Sequence, residues 1–422
     1  MGMELSVLSE AFKHQILPVV NDFIVKQTPG WDDLAKDGET TGGEYVKIPI
    51  ITEESYGTGS VDEKDPHPEA GTMKIENVLI RPRTTMGSLS ISGTSLRATK
   101  GGQNSVIDAL VAETQSSTKT FQDNIERQLF MGNGTGKLAE VVSSSTVEGV
   151  TRVVLTDVPG AIYLTKGTLV QFCTADASKT AVLGLPAYKI GKVFRSSSPG
   201  GNYIDLVGTA TGVTAGRGIY LNRSKDKEFM GYFGIVGDAE TVPGGMFQEK
   251  QRAGSEMFSA RVVTDNVIVG SELTTGLFTP TDLDDIILDM ELDRKEKPTV
   301  FWMPKKFKTA YRDFYGTKVQ FVNVGKVDGH IETDKHDNVP LRIGKYVYPG
   351  TILVIQQETM KFHPMAKGSQ LIQSVGEGID DIVLRKQAGK DIWDAQIQLV
   401  GQVACHAPYR NVVYRNNNSL YR

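Results

Sequence analysis

The stretch of this sequence closest to a reactive motif is Gly132-Asn133-Gly134-Thr135-Gly136-Lys137. A glycine-rich loop ending in Gly-Lys can cradle phosphates on its backbone amides. That motif needs a further glycine where Met131 stands and a Ser or Thr where Leu138 stands, and it follows a strand, whereas here a helical pattern precedes it. A tight helix-to-strand turn is the reading that fits. The six histidines, His14, His67, His330, His336, His363 and His406, include no pair at helical i, i+4 spacing. His406 adjoins Cys405, but no second such pair exists to complete a zinc set. No Gly-x-Ser-x-Gly elbow offers a serine nucleophile. Asp282, Asp284, Asp285 and Asp289 crowd one short stretch, which is the pattern of a solvated helix face with acids favourable to the helix N-terminus. No catalytic, cofactor-binding or metal-binding residues are therefore assigned, and an enzyme is not expected.

Composition points the same way. The 422 residues are 39% hydrophobic, enough for one large core or several smaller ones, and the 44 glycines and 17 prolines indicate many strands and turns. A free-standing nucleic-acid binder is usually basic, and the net charge here is -4. Two distant cysteines, Cys173 and Cys405, imply no disulfide framework and suit a reducing compartment. Glu4 and Glu10 interrupt the first residues, so no signal peptide is expected, and apolar runs such as Ile352 to Ile355 are too short to cross a bilayer.

The elements that would position any surface follow from periodicity. Leu5, Leu8, Phe12 and Ile16 sit at helical spacing before Pro18, and a polar, punctuated stretch follows, so residues 1–40 read as an extended arm. Residues 41–102 read as a long two-stranded ribbon: Tyr45 to Ile51 outward, Val78, Ile80, Met86, Leu89 and Ile91 on the return, with an acidic Gly/Pro-rich tip from Tyr56 to Glu69. An isolated ribbon is marginally stable in water, so arm and ribbon should order only against a partner surface, the alternative for the ribbon being a disordered surface loop. Residues 103–131 form the clearest helix, with Ser105 to Asp108 as a capping box, Phe121, Ile125 and Leu129 on one face, and Gly132 as a left-handed cap. From 148 to 237, short β-rich runs separated by turn signals predict a small β-barrel or sandwich inserted into the chain. Beyond 238–280, a helix opening at Thr281-Asp282-Leu283-Asp284, a strand at 299–303, a helix from Pro304 to Gly316, and strands at 319–324, 341–347, 351–356 and 395–404 alternate without a βαβ repeat, which argues for α+β.

Around the helix exit, Glu126-Arg127-Gln128-Leu129-Phe130-Met131-Gly132-Asn133-Gly134-Thr135-Gly136-Lys137, the chain resembles the major capsid proteins of tailed double-stranded DNA bacteriophages, with the Hong Kong 97-like capsid fold. Trp302-Met303-Pro304, Tyr348-Pro349-Gly350-Thr351 and Gly401 to Pro408 resemble later parts of that family, and the order of these segments carries the likeness over all but 148–237. The resemblance implies an N-terminal arm (1–40), an extended ribbon or E-loop (41–102), a spine helix opening a peripheral domain (103–147), an inserted β-barrel (148–237), more peripheral domain (238–280), an axial domain (281–375) and C-terminal strands returning to both (376–422). It implies hexamers and pentamers of this chain in an icosahedral head enclosing double-stranded DNA, which is contacted without sequence specificity. It implies assembly in the host cytoplasm with a separate scaffolding protein, a portal at one vertex and a decoration protein, with no membrane and no cofactor. A related encapsulin-like nanocompartment shell is the alternative. Lys64 and Lys74 lie in the ribbon, but no asparagine partner or catalytic acid for a covalent crosslink is matched.

Charge adds one interface expectation. Residues 282–293 carry six acids and no base, whereas 294–318 carry eight Lys or Arg against Glu296 and Asp313. The ribbon tip is acidic at Asp62, Glu63, Asp65 and Glu69, and is expected to dock on a neighbour's basic surface that includes Lys305, Lys306 and Lys308. Gly-rich joints such as Lys100-Gly101-Gly102 would absorb the difference between rings of five and six.

Overall fold

The computed structural model describes residues 29–37, 44–62, 66–94, 109–174, 186–195, 201–237, 246–254, 256–264, 267–269, 272–274, 276–294, 296–316, 335–364, 373–374, 385–386, 389–418 and 420–421. The expected N-terminal helix, the capping box, the joint at Lys100, the strand at 319–324, and Glu63 and Asp65 lie outside these residues.

A short helix α1 (Pro29–Asp33) precedes the antiparallel ribbon of β1 (Val46–Glu53) and β2 (Lys74–Ile80). The expected return strand divides at Arg81-Pro82: the next strand, β3 (Arg83–Ser92), leaves the ribbon. It pairs instead over its whole length with a late strand, from Arg83 opposite Gly401 to Ser92 opposite Ile392. The spine helix α2 (Ala109–Met131) follows, roughly 34 Å long at about 1.5 Å per residue. Phe121, Ile125, Leu129 and Phe130 on it are buried.

Gly132 is not the left-handed cap expected from the sequence. Positive φ occurs at Gly134 (84°) and Gly136 (74°) instead. A Cβ on Gly132 would sit 2.2 Å from the Gln128 carbonyl oxygen, so close packing demands this glycine. Asn133 organises the turn, its Oδ1 accepting from Thr135 N (3.1 Å) and Thr135 Oγ1 (2.6 Å).

Six strands then close into a barrel: β4 (Lys137–Val147), β5 (Val150–Leu155), β6 (Leu169–Thr174), β7 (Tyr188–Phe194), β8 (Tyr203–Leu206) and β9 (Arg217–Leu221), in the cyclic order β9-β4-β5-β8-β7-β6. A short helix α3 (Pro159–Tyr163) spans β5 and β6. The first barrel strand begins ahead of residue 148, on segments read from sequence as part of the spine region. Glu148 (φ 51°) and Gly149 (φ 78°) supply the two positive dihedrals that turn β4 into β5. Val153, Val170, Phe172, Ile190, Ile204 and Ile219 fill the barrel.

After α4 (Tyr232–Val236) come β10 (Arg261–Thr264), helix α5 (Pro280–Arg294), β11 (Val300–Met303), helix α6 (Lys305–Gly316), β12 (Val339–Ile343), β13 (Thr351–Ile355), β14 (Met360–Pro364), β15 (Ile392–Cys405) and β16 (Val412–Arg415). One sheet has the order β10-β16-β13-β11-β12, then the short strand Lys335–His336. Alternate residues of β11 face opposite ways, as strand geometry requires. Phe301 and Met303 join Leu283, Ile287 and Met290 of α5 and Phe307 of α6, whereas Val300 and Trp302 join the core around the spine helix. Trp302 meets Phe130 edge to face at 4.9 Å. The other large sheet joins β14, β15 and β3. The architecture is α+β.

Candidate assembly surfaces

Register decides which part of the ribbon belongs to its own subunit. Ile48 lies opposite Val78, and Val46 opposite Ile80. Ile48, Ile50, Val78 and Ile80 are buried in the chain's main core. Lys250 pairs with Glu76 (2.8 Å) and Arg81 with Glu249 (2.6 Å), holding the ribbon base to the body. This base therefore does not wait for a neighbour, contrary to the sequence reading, because one face of it is as apolar as a core strand. On the other face, Ile51 and Ile75 oppose each other and are 47% and 51% exposed.

Past Glu53 the ladder stops, and the two arms stay together through local contacts. Lys74 Nζ donates to Glu53 Oε1 (2.6 Å), and Ser55 Oγ donates to the Gly71 carbonyl (2.8 Å). A Cβ on Gly71 would come within 2.6 Å of Tyr56 N, so the arms approach at a distance only glycine permits. The outer part carries apolar groups in water: Tyr56 is 77% exposed, with Val61 and Met73 about half exposed. Asp62 and Glu69 are exposed beside them.

The arm segment also has an anchor. Trp31 is fully buried, packed edge to face on Phe362 at 4.8 Å. Ala35 and Lys36 add a parallel strand to β14. Glu126 of α2 accepts from Gly30 N (2.9 Å) and Trp31 N (3.1 Å). Burial raises the Glu126 carboxyl to about 7, against the opposing effect of those two amides. So residues 29–37 are fixed on their own subunit by one tryptophan and one carboxylate, whereas the sequence reading had the whole arm waiting for a neighbour. Next to Glu126, Arg127 makes a buried ion pair with Glu228 (2.5 Å).

The charged helices divide their acids and bases between internal and external use. Asp282 accepts from Thr279 N (2.9 Å) as a cap, and Tyr414 donates to it. Asp284 bonds His336 (2.8 Å), whose other ring nitrogen meets Tyr311 Oη (3.1 Å). Asp289 pairs with Arg261 (2.8 Å). Asp285 is exposed, as are Leu288 and Leu292 of the same helix. On α6, Lys305 and Lys306 are exposed. Lys308 is buried and donates to the Leu341 carbonyl (2.9 Å), which takes its ammonium away from the external surface. Asp62 and Glu69 thus lie on the outer ribbon, and Lys305 and Lys306 on α6, on separate elements. The exposed isoleucine pair and Tyr56 were not singled out from sequence; alternation about the Ile48–Val78 register is the signal that marks the isoleucines.

At the glycine turn, the Thr135 carbonyl accepts from Asp226 N (2.8 Å) and Lys137 pairs with Glu140 (2.6 Å). The loop is packed as a turn. Among the described residues no group of three or more His, Cys, Asp or Glu is placed to hold a metal ion, and no helix is long and apolar enough to cross a membrane.

No protein-family model and no curated protein matches the sequence. Solved structures do match. The chain superimposes on a chain of the Cyanophage A-1(L) capsid asymmetric unit with a TM-score of 0.61 at 9% identity, over 98% of this chain and 99% of that one. The fold is that of a phage capsid subunit. Looser likenesses to this capsid fold include the Phage G major capsid and decoration protein assembly (TM-score 0.45, 7% identity, 97% of each chain). The encapsulin of the holo-SrpI complex from Synechococcus elongatus is another (TM-score 0.40, 11% identity, 98% of this chain and 95% of that one).

Proposed function

We propose that this chain is a major capsid protein, which self-assembles as hexamers and pentamers into the icosahedral head shell around a double-stranded DNA genome and has no catalytic role. The observation that carries the reading is the outer ribbon, Glu54–Asp62 and Pro66–Met73. It projects beyond its last ladder pair, carries a 77%-exposed tyrosine, and gains burial only against another surface. The capsid-type fold over nearly the whole length of both chains supports it.

In this reading the arm, ribbon, spine helix, inserted barrel and axial region take the roles such a shell needs, with the ribbon ending near residue 82, the barrel opening near residue 137, and the other boundaries near residues 40, 237, 280 and 375. The acidic tip docks on a basic surface of a neighbouring subunit, with Lys305 and Lys306 as the receiving charges and modest energy per exposed pair. A separate scaffolding protein, a portal at one vertex and a decoration protein complete the particle, whose place is the virion after assembly in the host cytoplasm. A net charge of -4 suits a wall that must not grip its DNA.

Electron microscopy and sedimentation of the purified protein test this. Shells or capsomers are expected. Deleting residues 56–70 should leave a folded subunit and weaken the shells. A strictly monomeric wild-type chain under all assembly conditions, or deletion particles of normal stability, would refute the reading.

A further inference from the structure

The barrel closes through its shortest seam between β6 and β7. Strand β7 pairs with β6 only through Tyr188 and Lys189, opposite Val170 and Leu169. Beyond Ile190, which is tied to the Thr168 and Gly167 backbone, β7 is laddered to β8 alone. Between its free side and the Leu164–Lys166 segment lies a groove of about 650 Å³, lined by Leu164, Thr165, Lys166, Gly191, Lys192, Val193 and Arg195. Arg195 braces it, donating to the Ile162 carbonyl (2.5 Å) and the Leu164 carbonyl (3.1 Å). Among the described residues the lining holds three cations and no carboxylate, and none of the three is in an ion pair.

We propose that this seam is a docking site for an extended acidic peptide segment of a partner protein. Three cations gathered on one groove, with no acid to neutralise them, attract an anion. An antiparallel strand bonded on one side alone turns alternate N–H and C=O groups to the other side, and an added strand satisfies them. A polypeptide meets both requirements at once; a nucleic-acid duplex meets only the charge. The site concerns the barrel of a single chain, so it can be examined on unassembled protein whatever the outcome of the shell experiments.

The test is fluorescence anisotropy of a labelled nine-residue peptide of alternating Glu and Thr, titrated with the full-length chain. Binding is expected, weakened at least tenfold in K166Q/K192Q and at least tenfold when alternate peptide nitrogens are methylated, and absent for the same peptide with Lys in place of Glu. Lys166 and Lys192 are exposed, so the double variant should keep its circular dichroism spectrum. No binding of the acidic peptide, or equal binding by wild type and K166Q/K192Q, overturns the proposal. So does a 20-base-pair duplex that displaces the peptide from wild type and loses affinity in the same variant, which would make the groove a nucleic-acid site.

Discussion

Glu126 should make the subunit's stability fall as pH rises through neutrality. Its carboxyl is raised from 4.5 to about 7, chiefly because burial penalises the charged form, while the Gly30 and Trp31 amides favour the charge and only partly offset this. A carboxyl whose folded value lies above its unfolded value binds its proton more tightly in the folded state. The stabilisation is fully present below about pH 4.5 and is lost as pH climbs through about 7. At about 1.36 kcal/mol per unit, the contribution between pH 5 and pH 8 amounts to roughly 2–3 kcal/mol. Other groups titrate in the same range, so the informative quantity is the difference between wild type and Glu126→Gln. The glutamine is nearly isosteric, keeps an acceptor oxygen for one of the two α1 amides at every pH, and cannot ionise. Urea unfolding of the unassembled subunit at pH 5, 6, 7 and 8 should show E126Q gaining on wild type by roughly 2–3 kcal/mol from the lowest pH to the highest. Parallel curves for the two proteins would refute the reasoning and show that the Glu126 carboxyl is not held above its ordinary range.

Three further outcomes follow from the same geometry. I51S/I75S alters two exposed side chains, so the subunit should unfold within about 0.5 kcal/mol of wild type while its shells dissociate at lower denaturant, as followed by light scattering. Arg127→Met leaves Glu228 buried without its cation and should cost about 3–5 kcal/mol in urea unfolding, much of it recovered in R127M/E228L. K305E/K306E should slow assembly at low salt, have less effect at high salt, and be partly rescued by D62K/E69K in the same chain; reversal without effect on assembly kinetics would remove the tip-to-α6 contact.

The sequence by itself determined the elements whose signal is local. Phe121, Ile125 and Leu129 at helical spacing mark the spine helix, and the β-rich runs between Val153 and Leu221 mark strands, because periodicity and turn chemistry act over a few residues. The order of the glycine turn, the Trp302 strand and the late strands was enough to suggest the fold that the Cyanophage A-1(L) structure matches. Pairing was beyond its reach. Nothing near Met86 says that β3 joins β15 some three hundred residues later and not the ribbon beside it. Lys308 reads as a surface base like Lys305, and only the approach of Leu341 turns it inward. Glu126 reads as one more helix acid until α1 folds across it and two amides find it. The barrel's short seam exists because β6 and β7 part after two residue pairs, a matter of strand register. Burial, partner choice and pKa are properties of positions brought together by the whole chain, so tertiary structure alone decides them.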